Sequence, residues 1–147
     1  MYNYTLCGLD NVWLENGYSF HQTPYGEGVK IEDADRLDFS IGLALVEKPS
    51  PLTGKEFKFL RQQLGMSQRD LGRFIGVEDQ TVARWEKGDG PAVSGDKLVR
   101  LLFSEHESGN LTVRDMVAKL NFVDRVCNDR RIVLEHSDTW HFTVESC

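Results

Sequence analysis

The chain has 147 residues, room for one ordinary domain or two very small ones. Its 40% hydrophobic and 27% charged side chains, 13 Gly and 4 Pro exclude a disordered or collagen-like polymer, and no apolar run reaches the roughly 18–20 residues that span a bilayer. A net charge of −6 (pI about 5.2), taken whole, argues against nucleic acid as partner.

The distribution of charge says more than the sum. Residues 1–50 carry 3 basic and 8 acidic side chains, and residues 105–147 carry 5 and 8. Residues 51–104 carry 9 basic and 7 acidic side chains, the one net-positive stretch. The opening MYNYTLCGLD lacks a basic cap before an apolar stretch, so no secretory signal is read. Cys7, Cys127 and Cys147 are odd in number and widely spaced, which disfavours a disulfide scaffold and a thiolate zinc site. The expectation is a soluble, reduced, cytoplasmic protein of bacterial type.

In chain order, residues 2–6, 12–15 and 18–21 are rich in Tyr, Thr, Val, Trp and Phe and predict short strands. Asn16-Gly17 between the last two predicts a hairpin turn, since both residue types tolerate positive φ. Gly26-Glu27-Gly28 reads as a turn and residues 29–31 as a further strand. Residues 33–46 read as a helix with Leu37, Ile41, Ala44 and Leu45 on one face. Pro49 and Pro51 then predict an extended linker.

Thr53-Gly-Lys-Glu56 has the form of a capping box, and Phe57, Leu60 and Leu64 continue at helical spacing to Gly65. Ser67 predicts the cap of a second helix over 68–75. Gly76-Val77-Glu78 predicts a tight turn, and residues 79–87 a third helix closed by Gly88. A fourth helix is expected over 94–103 and a fifth from Thr112, with Val113, Met116, Val117, Leu120 and Val123 on one face. Alternation over 131–135 and 139–145 predicts a final hairpin with Ser137-Asp138 as its turn, across which His136 and His141 would face each other.

Residues 67–88, SQRDLGRFIGVEDQTVARWEKG, carry the functional signal. Two short helices joined by a glycine-bearing turn make a helix-turn-helix. Leu71, Val77 and Val82 are placed to converge between the helices, Gly76 supplies the positive φ of the turn, and Trp85 anchors the second helix.

In Ser67, Gln68, Leu71, Gly76, Val77, Val82, Trp85, Glu86 and Gly88 the stretch resembles the Cro/repressor-type (XRE) helix-turn-helix regulators, and the resemblance covers about residues 53–104. It departs at Gly72, where that family usually has Ala; the glycine gives up about 1 kcal/mol of helix propensity. The resemblance implies that the second helix enters the major groove. By position in the motif it implies Asp79, Gln80, Thr81 and Arg84 as base-reading residues, Gln for adenine and Arg for guanine in bidentate fashion. Asp79 would accept from a cytosine amino group, or would simply suit the positive end of the helix. Gln68, Arg69, Arg73, Lys87 and Lys55 would contact phosphates and fix the register. Glu86 would repel phosphate there, and the resemblance pairs it with Arg61 as a structural ion pair.

The longer arrangement, a β-rich segment before a Cro-type domain, resembles the MqsA/YgiT-type antitoxins. Those bind zinc through two CxxC pairs, whereas here Cys7 stands alone before the linker, so the four-thiolate site is absent. The acidic 1–50 segment would suit a basic partner, such as a small toxin. No hydrolase, metalloprotease or phosphate-loop signature is present.

The expected fold is α+β: a β-rich N-terminal region with one helix (1–50), a Cro-like five-helix-type helix-turn-helix domain (51–104), and a C-terminal helix and hairpin (105–147). The expected function is sequence-specific binding of duplex DNA as a homodimer, repressing its own operon, with no enzymatic activity, metal or cofactor. The alternatives are an antitoxin that also neutralises a toxin, and an interaction or ligand-sensing module whose helix-turn-helix no longer binds DNA.

Overall fold

A computed structural model describes residues 1–107 and 132–144, so the helix expected from Thr112 lies outside the described residues. Among the described residues the fold mixes five helices with three two-stranded antiparallel sheets.

The N-terminal strands pair differently from the sequence expectation. β1 (Tyr2–Asn3) pairs with β2 (Trp13–Leu14), and β3 (Tyr18–Thr23) pairs with β4 (Gly26–Ile31). Asn16-Gly17 therefore turns the chain without making a hairpin. Gly17 does take positive φ (80°), but its carbonyl accepts from Glu32 N–H at 2.9 Å. The hairpin turn is Pro24-Tyr25, and the residues expected as a turn, Gly26–Gly28, lie within β4 opposite His21, Gln22 and Thr23. Six consecutive cross-strand pairs outweighed the local preference of two glycines.

Helix α1 (Ala34–Glu47) buries Ile41 and Leu45 and half-buries Leu37. Ala44, expected on that face, is exposed; Gly42 is the buried neighbour instead, because the Phe103 ring lies directly over it. Helix α2 (Gly54–Gln63) starts with the capping box read from the sequence. Thr53 Oγ1 accepts from Glu56 N–H at 3.2 Å, and Glu56 Oε1 accepts from Thr53 N–H at 2.9 Å. Helix α3 (Gln68–Ile75) is capped by Ser67, whose hydroxyl accepts from Asp70 N–H at 3.0 Å, and it ends on Gly76 at φ 91°. Helix α4 (Asp79–Lys87) follows, then α5 (Val93–Glu107), which runs beyond the expected 94–103 because residues 104–107 contain no helix breaker.

One buried cluster joins the N-terminal region to the helices. Tyr4, Leu9, Leu14, Ile41 and Leu45 belong to the same core as Phe57, Leu60, Leu71, Val82, Val99 and Leu102. Helix α1 packs on α2 and α5. The proline segment between them is clamped. Arg100 donates to the carbonyls of Lys48 (2.5 Å) and Ser50 (2.7 Å), and Asp96 Oδ2 accepts from Leu52 N–H at 2.7 Å. Lys48 Nζ meets Glu56 Oε1 at 2.5 Å, and the Glu56 side chain is 2% exposed.

The last two strands, β5 (Ile132–His136) and β6 (Trp140–Val144), form the C-terminal hairpin. His136 and His141 do not face each other. The register sets His136 opposite Trp140, with ring centroids 5.1 Å apart, and His141 opposite Glu135. The three residues Ser137–Thr139 between the strands, one more than the expected two-residue turn, set this register.

Candidate nucleic-acid interface

Helices α3 and α4 form the helix-turn-helix, and the turn between them is built by close approach. A Cβ at Gly72 would stand 2.7 Å from the Val77 carbonyl oxygen, while Gly76 and Val77 N–H both donate to the Gly72 carbonyl at 2.8 Å. Gly72 is thus more than a weak helix residue: its missing side chain admits the returning chain. Leu71 and Val82 are fully buried, and Val77 packs, partly buried, against the core they belong to.

The second helix is fixed from behind. Trp85 meets the Phe57 ring edge-on at 5.8 Å, and Gly95 opens a slot for its indole, since a Cβ there would lie 2.9 Å from Trp85 Cζ3. The start of α2 touches the end of α4: a Cβ at Gly54 would meet the carbonyls of Trp85, Glu86 and Gly88 at 2.5–2.7 Å. Glu86 is enclosed by a polar cluster. Arg61 Nε donates to Glu86 Oε1 at 2.5 Å, Arg61 Nη1 to the Met66 carbonyl at 3.0 Å, and Gln68 Nε2 to Glu86 Oε2 at 2.8 Å. This ties α2, α3 and α4 at one point.

The opposite side of α4 faces solvent. Asp79, Gln80, Arg84 and Lys87 are exposed and Thr81 is half-buried. Asp79 Oδ1 accepts from Gln80 N–H at 2.8 Å, so one carboxylate oxygen is engaged within the first turn. Gln80 and Arg84, at i and i+4, share one stripe of the helix. On α3, Arg69 and Arg73 are exposed. Lys55 stands apart from that group: its Nζ lies 2.7 Å from Asp10 Oδ2, an exposed pair across from the N-terminal loop. Gln68, expected at a phosphate, gives one amide hydrogen to Glu86, and its second meets no partner among the described residues.

Sequence reasoning missed Glu78. It is the exposed N-cap of α4 and makes no side-chain capping bond, so a second acid sits beside Asp79 at the solvent end of the helix. It missed the Lys48–Glu56 and Asp96–Arg100 pairs as well. The i, i+4 spacing of Asp96 and Arg100 was their only sequence signal.

Among the described residues no helix is long and apolar enough to cross a membrane. No curated protein and no solved structure matches the chain. Residues 57–102, from within α2 to within α5, hold the α3–α4 turn and the Arg61–Gln68–Glu86 cluster and match the family model described as Helix-turn-helix, a DNA-binding regulatory type of domain.

Proposed function

We propose that the chain is a sequence-specific regulator of transcription that binds duplex DNA as a homodimer and represses its own operon. The observation that carries this reading is the solvent face of α4, where Gln80 and Arg84 project from a helix fixed on its other side by Val82, Trp85 and Glu86. A helix fixed in this way, with an amide and a guanidinium on its exposed stripe that meet no side-chain partner among the described residues, fits the major groove. In this reading Asp79, Gln80, Thr81 and Arg84 address base edges. Gln68, Arg69, Arg73 and Lys87 hold phosphates, and Lys55 joins them by exchanging Asp10 for phosphate; exposed ion pairs of that kind hold by only about 0–1 kcal/mol. Two copies related by a two-fold axis would read half-sites about one helical turn apart.

Fluorescence anisotropy tests this. The full chain is titrated against a labelled duplex from its own upstream region and against a scrambled duplex, at two salt concentrations. Binding roughly a thousand-fold tighter to the upstream duplex supports the reading. Equal binding to both duplexes, or none at low salt, overturns it.

A further inference from the structure

A cleft of about 480 Å³ lies between the N-terminal loop and the helices, on the side where α4 ends. One wall is the loop of residues 6–8. The other is α2, which contributes Lys55, Lys58 and Gln62, and the end of α4 closes the cleft with Glu86 and Lys87. The loop wall is fixed. Tyr4 and Leu9 on either side of it are buried in the core. Between them Gly8 takes φ 87°, and its N–H donates to the Thr5 carbonyl at 3.0 Å. The Cys7 thiol donates to the Tyr4 carbonyl at 3.1 Å, which ties the turn a second time.

The cleft is basic within an acidic chain. Residues 1–50 carry 8 acidic and 3 basic side chains, yet none of those acids lines it. They sit elsewhere, Glu27 on the β3–β4 arm and Asp33 and Asp35 at the start of α1. Asp10 reaches only Lys55, in the exposed 2.7 Å pair. Glu86, the carboxylate of the wall, is already engaged, by Arg61 at 2.5 Å and Gln68 at 2.8 Å. Lys58 and Lys87 are exposed and meet no carboxylate among the described residues. Three ammonium groups around one concave surface attract an anion. Lys87 lies one turn beyond Arg84, so a duplex on the outward stripe of α4 carries its backbone past the end of that helix to the mouth of the cleft. We propose that the cleft holds phosphates of the DNA backbone beyond the bases that α4 addresses, with Lys58 and Gln62 as contacts and the N-terminal loop as the far wall. This rests on the DNA reading above and extends it: the N-terminal region, acidic as a whole, takes part in DNA binding through one basic cleft. A free phosphate or an acidic peptide answers to the same charges, but neither accounts for a cleft that continues from the end of α4.

The test is anisotropy of the full chain on the upstream duplex and on versions of it shortened from both ends, over a range of salt. On the long duplex Lys58→Ala should weaken binding roughly three- to tenfold and lower the salt slope by about one. The preference for the upstream over the scrambled sequence should stay as it is, because a phosphate contact carries no sequence information. Lys58→Arg should keep most of the affinity. Asp10→Asn, which releases Lys55, should raise it, by up to about fivefold. On a duplex cut back to the bases under α4, the unaltered chain should lose affinity and Lys58→Ala should cost nothing further. If the unaltered chain discriminates between sequences but Lys58→Ala leaves affinity and slope unchanged, this inference falls and the DNA reading stands. An equal loss on long and shortened duplexes also overturns it, since Lys58 would then act through the fold. Binding of inorganic phosphate that Lys58→Ala abolishes, with DNA affinity unchanged, assigns the cleft to a free anion and overturns it too. A chain that does not discriminate at all overturns the DNA reading, and this inference with it.

Discussion

Removal of Arg61 is the sharpest perturbation of the helix-turn-helix. The Glu86 side chain is 4% exposed and Arg61 12%, and the two are joined at 2.5 Å, with a longer second contact at 3.4 Å. Arg61→Met keeps the length of the aliphatic stem but leaves Glu86, among the described residues, with Gln68 as its one side-chain donor, and it removes the Arg61 bond to the Met66 carbonyl. Breaking a buried pair from one side costs about 3–5 kcal/mol, a large part of the roughly 5–15 kcal/mol that holds a domain together. At about 2–4 °C per kcal/mol for a chain of this size, the melting temperature should fall by roughly 6–20 °C. Thermal melting followed by circular dichroism measures it. The double variant Arg61→Met/Glu86→Leu removes the stranded charge and should recover most of the loss, because replacing both partners with apolar groups is often neutral. An unchanged melting temperature in Arg61→Met, or a double variant as unstable as the single one, would refute the account of Glu86 as a buried charge held by its partner.

Arg84→Ala should weaken specific binding by about 1–3 kcal/mol and relax one operator position, seen by anisotropy on single-base variants of the operator. Arg69→Ala and Arg73→Ala should instead weaken binding to all duplexes alike and lower the salt slope by about one each; retained slopes would remove them from the phosphate set. Gly42→Ala should destabilise the protein, since the new methyl group meets the Phe103 ring, which is buried. Overpacking of this kind costs about 1–3 kcal/mol, against about 1 kcal/mol of helix propensity gained, and a raised melting temperature would contradict it. Burial pushes the Glu56 carboxyl up, but the hydrogen bonds from Lys48 and the Thr53 N–H, with the Lys48 charge, outweigh it and hold the group below its ordinary range. A folded-state pKa below the unfolded one gives stability that is present above the ordinary carboxylate range and lost as pH falls through the folded value. Urea unfolding from pH 7 to 3 should therefore show an acid loss that is smaller in Glu56→Gln; equal acid slopes in the two proteins would count against it.

The helices were legible in the sequence because their signals are local. Thr53 with Glu56, Ser67 and Gly76 each act within one turn, and each does so in the structure. The strand partners were not legible, because pairing is decided by which segment meets which. Asn16-Gly17 carries the stronger turn signal, yet Pro24-Tyr25 makes the hairpin. The same holds for side chains. Leu71 and Val82 could be placed inward from spacing alone, whereas the Lys55–Asp10 pair spans 45 positions and the contacts of Arg100 with the proline segment span about fifty. Gly72 shows the limit from another side: propensity describes the residue within its own helix, and the contact that gives its missing side chain a purpose is the carbonyl of Val77 in the returning turn.

The proline segment decides how the two charged halves of the molecule act on each other. Were it a free tether, the acidic arm would be averaged over many positions and would repel DNA weakly. The segment is instead held by Arg100, Asp96 and Lys48 through its own carbonyls and the Leu52 N–H, and Tyr4, Leu9 and Leu14 share one core with the helices. The arm therefore stands at a fixed place relative to α4, and its acids lower the potential at the reading face by a constant amount set by geometry and salt. Reversal of one of these charges, Glu27→Lys, should then raise the affinity of the full chain for the upstream duplex at low salt, read by anisotropy. The gain should fade as salt is added, because a field of this kind is screened, and an affinity unchanged at low salt would count against it.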